Sequence, residues 1–293
     1  MQKRVKFVTD STCDLPPYLL QDNHISVLSM HVFLGERDCL DGVNVQPSEL
    51  FQYAQASQRL PRTAAASVLE FCEIFKKAFD DGFEEIIYTG LSASLSSTFQ
   101  NATLAGKEMA EFGIDPARVH CVDSMQLSAG SGELLLRGVK MAEGGMGAAE
   151  IVAALKKTVP RIRTSFVVDT LEYLHMGGRC SSVIYVAGSM LKIHPMIELR
   201  GGKMSVGGRF HGGIGHCLEI YRRKVVDDRL DAIDPERIFI LHTFSEGAQE
   251  VKRAEEAIRG LDYFGEVHLG HASATISTHC GPGTLGFIYA MKE

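Results

Sequence analysis

The sequence lacks the segments that direct a protein out of the cytoplasm or anchor it in a bilayer. No stretch approaches the roughly 20 consecutive apolar residues needed to cross a membrane. The first residues, MQKRVKFVTDSTCDLP, are charged and then strand-like, and they contain no apolar signal core. The seven cysteines are scattered and form no CxxC pair, which is typical of reduced, intracellular chains. We therefore expect a cytoplasmic protein without stable membrane insertion.

Basic clusters and nucleotide motifs are also absent. The 293 residues carry a formal net charge of −6 with a pI near 6.0, and no basic run is interleaved with aromatic residues. This charge balance argues against a nucleic-acid-binding groove. No P-loop occurs, so we do not expect the chain to hold ATP itself. The glycines of GPGTLG (281–286) fit GxGxxG, but only seven residues follow them, too few for a dinucleotide-binding βαβ unit.

The eleven histidines do not form a recognisable metal motif. His268 and His271 have a plausible ligand spacing, but the sequence contains no HExxH and no flanking cysteine pair. We therefore expect neither a metal nor another cofactor. His279 and Cys280 are adjacent in a segment that we interpret as a strand. Their side chains would then point to opposite faces and would not pair as base and nucleophile.

Short strands alternate with helices in the first half of the chain. Apolar runs at 5–8, 85–88 and 119–122 each lead into hydroxyl- or carboxylate-bearing residues typical of helix starts. The stretch SVLEFCEIFKKAFDDG has apolar residues at helical spacing and ends at a glycine. Strand–helix alternation with short connections predicts a parallel sheet flanked by helices. Ligands of such sheets bind at the carboxyl ends of the strands.

The pattern changes near residue 160. Gly201 and Gly202 separate two apolar runs in the manner of a two-residue hairpin turn, and strands and helices follow irregularly. The fold class is therefore α/β with two domains. We predict an N-terminal domain (1–163) with a parallel sheet flanked by helices. We predict a C-terminal α+β domain (164–293) with a mixed, largely antiparallel sheet. Residues 25–45 break the first alternation and are expected to belong to another sheet or to pack on the second domain.

One predicted strand-to-helix turn concentrates hydroxyl groups. The stretch TGLSASLSSTFQNA (89–102) carries six, and no Lys or Arg occurs from residue 78 to residue 106. Helix capping by Ser96 or Ser97 accounts for only part of this excess. A second uncharged, hydroxyl-bearing helix start occurs in PRTAAAS, with Thr63 and Ser67. Neutral donors and helix amides bind a carboxylate without a cation, so we interpret the turn as a carboxylate site.

Five motifs together resemble the DegV family of bacterial fatty-acid-binding proteins, which includes the FakB subunits of fatty acid kinase. VTDSTCDLP, LSASLSSTFQNA, CVDSMQLSAGSG, TLEYLHMGGR and THCGPGTLGF occur in the family's order and spacing across the whole chain. The resemblance implies one long-chain fatty acid enclosed between two domains, with its tail in an apolar tunnel. A separate ATP-binding subunit phosphorylates the acid to an acyl phosphate in kinase-linked members. The chain is then a carrier that presents the acid and does not catalyse the transfer.

The resemblance also assigns site residues by motif. Thr63 matches the first threonine of the family's T-S-Q-P-S box. Ser96 and Thr98 match the serine and threonine of its S-G-T turn, and Ser97 occupies the glycine position. His279 matches the histidine that precedes the Gly-Pro-Gly turn. These five residues are expected to bind the carboxylate.

Two arginines are assigned to the mouth of the site or to the surface that faces the kinase. Arg179 matches the Gly-Gly-Arg turn, and Arg209 matches a later arginine associated with presentation. The chain departs from the family in the TAAAS box and at Ser97, and these departures are expected to affect head-group hydration or ligand preference. Arg209 is the weaker arginine match, because Gly207 and Gly208 replace the usual residues before it. The nearly uncharged segment 182–191 is a candidate tunnel wall, with simple core packing as the alternative.

Two other functions fit parts of the pattern. A serine hydrolase or acyltransferase would use Ser96 or Ser97 with His279, and backbone amides at the helix start would form an oxyanion hole. The turn, however, lacks a G-x-S-x-G elbow, and no acid is evident to orient the histidine. A binder of another small anion, such as a sugar phosphate, is disfavoured by the scarcity of cations near the turn.

Overall fold

A computed structural model describes residues 4–179 and 193–293 of the chain. The strands are β1 Val5–Asp10, β2 Ser26–Leu28, β3 His31–Leu34, β4 Arg37–Leu40, β5 Arg62–Ala64, β6 Glu85–Gly90, β7 Val119–Asp123, β8 Ile162–Val167, β9 Ile193–Arg200, β10 Lys203–His211, β11 Ile233–His242, β12 Glu266–His271 and β13 Leu285–Met291. The α-helices are α1 Pro17–Asp22, α2 Pro47–Ser57, α3 Val68–Asp80, α4 Thr98–Glu108, α5 Ala129–Glu143, α6 Ala148–Thr158, α7 Glu172–Met176, α8 Ile214–Val225, α9 Gln249–Arg259 and α10 Ala274–Cys280.

The first half of the chain contains a four-stranded parallel sheet in the order β2-β1-β6-β7. The three strands expected from the apolar runs are β1, β6 and β7, so the predicted parallel sheet is confirmed. Helix α3 begins at Ser67, whose hydroxyl accepts from the amide of Glu70, while the Glu70 carboxylate accepts from the amide of Ser67. This reciprocal capping explains why the helix starts there. Ser67 therefore serves the helix, whereas Thr63 lies on β5.

The second half contains a six-stranded mixed sheet in the order β10-β9-β8-β13-β11-β12. Only the β11–β12 pair is parallel, which confirms the predicted largely antiparallel sheet. The β9–β10 hairpin is confirmed too, and Gly201 and Gly202 have φ of 55° and 78° in its turn. Such positive φ values are readily adopted by glycine and rarely by other residues.

Residues 25–45 divide between two sheets. Strand β2 joins the parallel sheet, whereas β3 and β4 form a small antiparallel sheet with β5 in the order β4-β3-β5. Val32, Cys39 and Val45 of this region pack in one apolar cluster with Ala274 at the start of α10. The expectation of another sheet is thus confirmed for 31–40 and was wrong for 26–28.

Helix α5 packs between the two large sheets. Leu134 and Leu135 belong to a core that also contains Phe7 and Ile87 of the parallel sheet and Phe239 of the mixed sheet. Because α5 contributes to both packing interfaces, the two halves of the chain share a core. The predicted boundary at 163/164 falls inside β8, and the division into those two units stays a prediction. Within residues 4–179 and 193–293, no helix is both long and apolar enough to cross a bilayer.

The segment around His279 is a helix, so its interpretation as a strand was wrong. The hydroxyl of Ser273 accepts from the amide of Ile276 and caps α10. The carboxylate of Asp41 accepts from the next two amides, those of Ala274 and Thr275, at 2.9 and 3.0 Å. These acceptors lie more than 200 residues earlier in the chain, which is why the local pattern did not predict the helix.

Candidate functional site

Three elements bring most of the predicted site residues around one cavity. Strand β5 supplies Thr63, the turn before α4 supplies Ser96, and α10 supplies His279. The hydroxyl oxygen of Thr63 and Nε2 of His279 are 2.9 Å apart. Both side chains line the cavity together with Ser96 and Arg179, so residues separated by 216 positions in the chain meet at one polar corner.

The turn before α4 contributes a second hydroxyl pair. The Oγ of Ser96 is 2.7 Å from the Oγ1 of Thr98, and it also accepts from the Thr98 amide at 3.2 Å. Thr98 is fully buried, and its hydroxyl contacts the sulfur of Met30 at 3.5 Å. Ser96 is half-buried and lines the cavity, and Thr98 holds the Ser96 hydroxyl in place through these two contacts.

Ser97 has a different position from its neighbours. Its side chain is exposed and is not part of the cavity lining. Its backbone has φ −75° and ψ 0°, so the turn does not require the positive φ that glycine favours. A serine is therefore accommodated at the family's glycine position without strain, and its side chain faces solvent.

Among the other hydroxyls of 89–102, that of Ser92 has structural contacts, whereas that of Thr89 is buried without a hydrogen-bond partner among the described residues. Ser92 is buried, and its Oγ donates to the carbonyl of Gly202 in the β9–β10 turn at 2.9 Å. The same oxygen accepts from the amide of Ser94. The carboxylate of Asp10 accepts from the amide of Leu91 at 3.0 Å and fixes the start of the stretch. The hydroxyl-rich turn therefore combines packing roles with a site role.

His279 is neutral at neutral pH. Burial, together with the charge of Arg179, lowers the pKa of His279 to about 4. Its Nδ1 has no hydrogen-bond partner among residues 4–179 and 193–293. A Cβ on Gly177 would lie 2.5 Å from this nitrogen, so the glycine allows α7 to pack closely against the ring. The imidazole can therefore donate or accept one neutral hydrogen bond toward Thr63.

Away from the polar corner, the cavity is apolar. Leu91, Leu95, Leu127, Met204 and Ile276 form much of this lining. A second cavity adjoins the first, since both are lined by Leu127, Ile276 and Cys280, and it extends to Phe166 and Ile288 of the mixed sheet.

The two predicted arginines lie in different places. Arg179 is exposed, lines the cavity beside His279, and donates to the carbonyl of Gly177. Arg209 is exposed on β10, opposite Pro195 of β9, and does not line the cavity. The structure therefore brings Arg179 to the site and leaves Arg209 on the surface of the hairpin.

Several lining residues were not predicted. Met30, between β2 and β3, is buried against Thr98, and Leu127 and Met204 reach the cavity from the two halves of the chain. Single apolar residues give no sequence signal that separates a cavity wall from ordinary core. The predicted tunnel wall at 182–191 lies outside the described residues.

The arrangement does not support a hydrolase. Nε2 of His279 contacts Thr63 and not a serine, and within the described part of the chain no carboxylate orients Nδ1. A catalytic histidine of the triad type needs both contacts. In the same part of the chain, no three His, Cys, Asp or Glu side chains are grouped as a metal site.

Comparisons with known proteins agree with this architecture. The sequence model of a family described as uncharacterised proteins of the DegV family matches residues 4–292. A DegV domain-containing protein of Caldanaerobacter subterraneus is 27% identical over 293 residues, which cover 99% of this chain and 100% of that protein.

Two solved structures share the fold. One, described as fatty acid binding of a DegV family protein from Thermus thermophilus, is 28% identical with a TM-score of 0.86, covering 98% of this chain and 99% of that chain. The other, a stearic-acid-binding protein from Eubacterium ventriosum, is 23% identical with a TM-score of 0.85, covering 98% of both chains. The predicted two-domain fold class is confirmed. The chain belongs to the DegV family.

Proposed function

We propose that this protein binds one long-chain fatty acid and presents it to a separate ATP-binding kinase subunit. The observation that carries the proposal is a cavity that joins neutral hydrogen-bond donors at one end to an apolar lining. The description of the Thermus relative, which is 28% identical, as fatty acid binding supports the same ligand class. The proposal needs no cofactor or metal.

The carboxylate would be bound by Thr63, Ser96 and His279, with Thr98 holding Ser96. If Nε2–H of neutral His279 donates to the Thr63 hydroxyl oxygen, the Thr63 proton is free to donate to a carboxylate oxygen. If Thr98 donates its single proton to Ser96, and not to the sulfur of Met30, the Ser96 proton is left for the second oxygen. Hydrogen bonds to a carboxylate are charge-assisted, so these neutral donors are sufficient. Ser97 is exposed and would add little to this set.

The tail would be held by the hydrophobic effect. Burial of one methylene group contributes about 0.8 kcal/mol, so an acyl chain of 16 to 18 carbons gains over ten kcal/mol before ordering costs. The two adjoining cavities share Leu127, Ile276 and Cys280, and their apolar linings would contact the tail. The segment 182–191, expected from the sequence to form a wall, is proposed as a further boundary.

Presentation is the second part of the proposal. The kinase subunit would transfer the γ-phosphoryl group of ATP to a carboxylate oxygen, giving an acyl phosphate and ADP. Arg179 lies at the polar corner, where a cation can accompany the developing charge. Arg209 is exposed on the hairpin surface, where a protein partner can reach it. We assign Arg179 to the mouth and Arg209 to the kinase-facing surface.

The test of binding is the mass of the bound molecule. Protein purified from a bacterial host is expected to show, by native mass spectrometry and lipid extraction, one fatty acid per chain. Delipidated protein should then rebind palmitate or oleate in competition with a fluorescent fatty acid. Protein that carries no lipid and ignores both acids would overturn the proposal.

The test of presentation separates it from binding. With an ATP-binding fatty acid kinase subunit, the loaded protein is expected to support acyl phosphate formation. Arg209→Ala should lower that rate while leaving fatty-acid affinity unchanged, because the arginine does not line the cavity. A variant that is phosphorylated at the wild-type rate would remove Arg209 from the kinase-facing surface and leave the binding proposal intact.

A further inference from the structure

Asp41 is a buried carboxylate that joins the elements of the site without touching the cavity. It follows β4 and is 2% exposed. One oxygen accepts from the amide of Ala274 at 2.9 Å, and the other accepts from the amide of Thr275 at 3.0 Å. The second oxygen also accepts from the hydroxyl of Ser11 at 3.0 Å. Asp41 therefore contacts the start of α10, whereas His279 lies near the end of the same helix.

The same residue belongs to the region that carries Thr63. Strands β4, β3 and β5 form one small sheet, in which Thr63 pairs with Val32. Ala274 of α10 packs in the apolar cluster of that sheet. Asp41 therefore joins α10, which supplies His279, to the small sheet, which supplies Thr63, by two charge-assisted hydrogen bonds. The apolar contact of Ala274 with the same sheet adds to this connection.

Asp41 also contacts the cavity wall through the backbone. Its amide donates to the carbonyl of Met30 at 2.9 Å, and the amide of Met30 donates to Ser11, which itself donates to Asp41. Met30 lines the cavity and contacts Thr98. A single buried carboxylate is thus connected to three elements around the polar corner.

We propose that Asp41 is a positioning residue for fatty-acid binding, which sets the Thr63–His279 pair by holding α10 against the small sheet. This inference rests on the proposed function. A change at Asp41 would act through His279, and not by direct contact with the ligand. Loss of a buried acceptor leaves backbone amides unsatisfied, so α10 and its histidine would shift.

The experiment is a double-mutant cycle with Asp41→Asn and His279→Ala, measured by displacement of a fluorescent fatty acid. Asp41→Asn alone is expected to weaken affinity about tenfold, as for one buried hydrogen bond. In the His279→Ala background it should weaken affinity by less than about twofold, because the positioned group is gone. Additive losses in the two backgrounds would show a merely structural role and overturn the proposal.

A second readout does not depend on the ligand. The pKa of His279, followed by NMR and assigned by its loss in His279→Ala, is expected to rise from about 4 toward its ordinary value in Asp41→Asn as the ring becomes solvated. Asp115→Asn is the matched control, since Asp115 also accepts from a backbone amide at a helix start, that of Ala117, and does not line the cavity. It should alter neither the affinity nor the pKa of His279.

The outcomes separate the two proposals. If wild type binds the acid but Asp41→Asn changes neither affinity nor the pKa of His279, the positioning role fails and the function stands. If wild type binds no acid while Asp41→Asn raises that pKa, the proposed function fails, whereas the part of the inference in which Asp41 positions His279 stands. Should Asp41→Asn not fold, Ser11→Ala removes one bond to the carboxylate. It is then expected to weaken affinity about threefold in wild type and not in His279→Ala; an unchanged affinity overturns the inference.

Discussion

Two neighbouring serines, Ser96 and Ser97, have different roles at the candidate site. Ser96 lines the cavity and bonds to Thr98, whereas Ser97 is exposed outside the lining. We expect Ser96→Ala to weaken fatty-acid affinity by about 1–3 kcal/mol, since it removes a half-buried donor to the carboxylate of the fatty acid. Ser97→Ala is the control and should change affinity by less than about 0.5 kcal/mol. Fluorescent fatty-acid displacement measures both.

Equal losses for the two variants would contradict this assignment. Such a result would mean that the exposed serine contacts the ligand after a rearrangement of the turn. An unchanged affinity for Ser96→Ala would instead move the carboxylate away from this turn and leave Thr63 and His279 as its partners.

Asp14 makes stability depend on pH. Burial raises the pKa of Asp14 to about 7, although Ser128 and the amide of Ser273 donate to its carboxylate. The folded state therefore keeps a proton that the unfolded chain, with an Asp pKa near 3.9, has lost. Where the folded state binds more protons, stability falls as pH rises, so Asp14 destabilises the fold progressively between about pH 4 and pH 7.

Asp14→Asn removes this ionisation. The free energy of unfolding of the variant relative to wild type is expected to increase between pH 4 and pH 7.5, by up to about 4 kcal/mol. Urea unfolding at several pH values measures it. Burial lowers the pKa values of His242 and His279 to about 4, so these histidines make stability rise with pH. Both proteins contain them, so their contribution cancels in the difference between variant and wild type. Parallel pH profiles would show that Asp14 ionises normally in the fold.

At the scale of helices and strands, the packing of α7 against α10 sets the position of His279. Gly177 ends α7, and a Cβ there would lie 2.5 Å from Nδ1 of His279 and 2.9 Å from the carbonyl of Tyr173. We expect Gly177→Ala to displace the ring and weaken fatty-acid affinity at least fivefold. Gly215→Ala is the control, because a Cβ there meets no heavy atom within 4 Å. Titration with a fluorescent fatty acid distinguishes them.

A wild-type affinity for Gly177→Ala would show that α7 can move away without disturbing the ring. The glycine would then have no role in the site. Gly215→Ala should be slightly more stable than wild type, since Gly215 lies in the first turn of α8 and alanine has a higher helix propensity than glycine. That gain verifies that the comparison reports the contact with His279 and not a general effect of added methyl groups.

Helices and strands that are specified by their own sequence could be predicted. Those that depend on contacts with residues far away in the chain could not. The strands β1, β6 and β7 follow from apolar runs, and α3 follows from its helical spacing and from Ser67 and Glu70, which are three residues apart. Helix α10 has seven residues; its first amide, that of Ala274, is bound by Asp41, and the amide of its cap Ser273 is bound by Asp14, 233 and 259 residues away. Only Ser273 is a local start signal, so the sequence could not separate this helix from a strand.

The site was predictable as a set of motifs and not as a geometry. The hydroxyl excess indicated a carboxylate site near Ser96, and the family resemblance supplied Thr63 and His279. Nothing in the sequence gives the 2.9 Å contact between them, because it depends on the packing of α10 against the small sheet. Ser92 bonds to the β9–β10 turn for the same reason, and no local pattern separates its role from that of Ser96.

At the scale of the whole molecule, α5 joins the two halves of the chain, because it lies between the two large sheets and carries a buried charge. Glu133 is fully buried, and its carboxylate accepts from Arg137 of the same helix at 2.5 Å and from Arg237 of β11 at 3.2 Å. Arg137 also donates to Asp234 of β11 at 2.8 Å. This network connects α5, in the first half of the chain, to β11 in the mixed sheet of the second half. The relative position of the site residues from the two halves depends on this connection.

Removal of this carboxylate would take the fully buried partner from two largely buried guanidinium groups, which would keep Glu236 as a partly exposed one. We expect Glu133→Ala to lower the free energy of unfolding by about 3–5 kcal/mol, the usual cost of breaking a buried ion pair from one side. Lys76→Ala, which removes an exposed pair with Asp80, should cost no more than about 0.5 kcal/mol. Urea unfolding followed by circular dichroism measures both. If the two losses were equal, α5 would be held between the sheets by its leucines alone, and the charges would only be tolerated there.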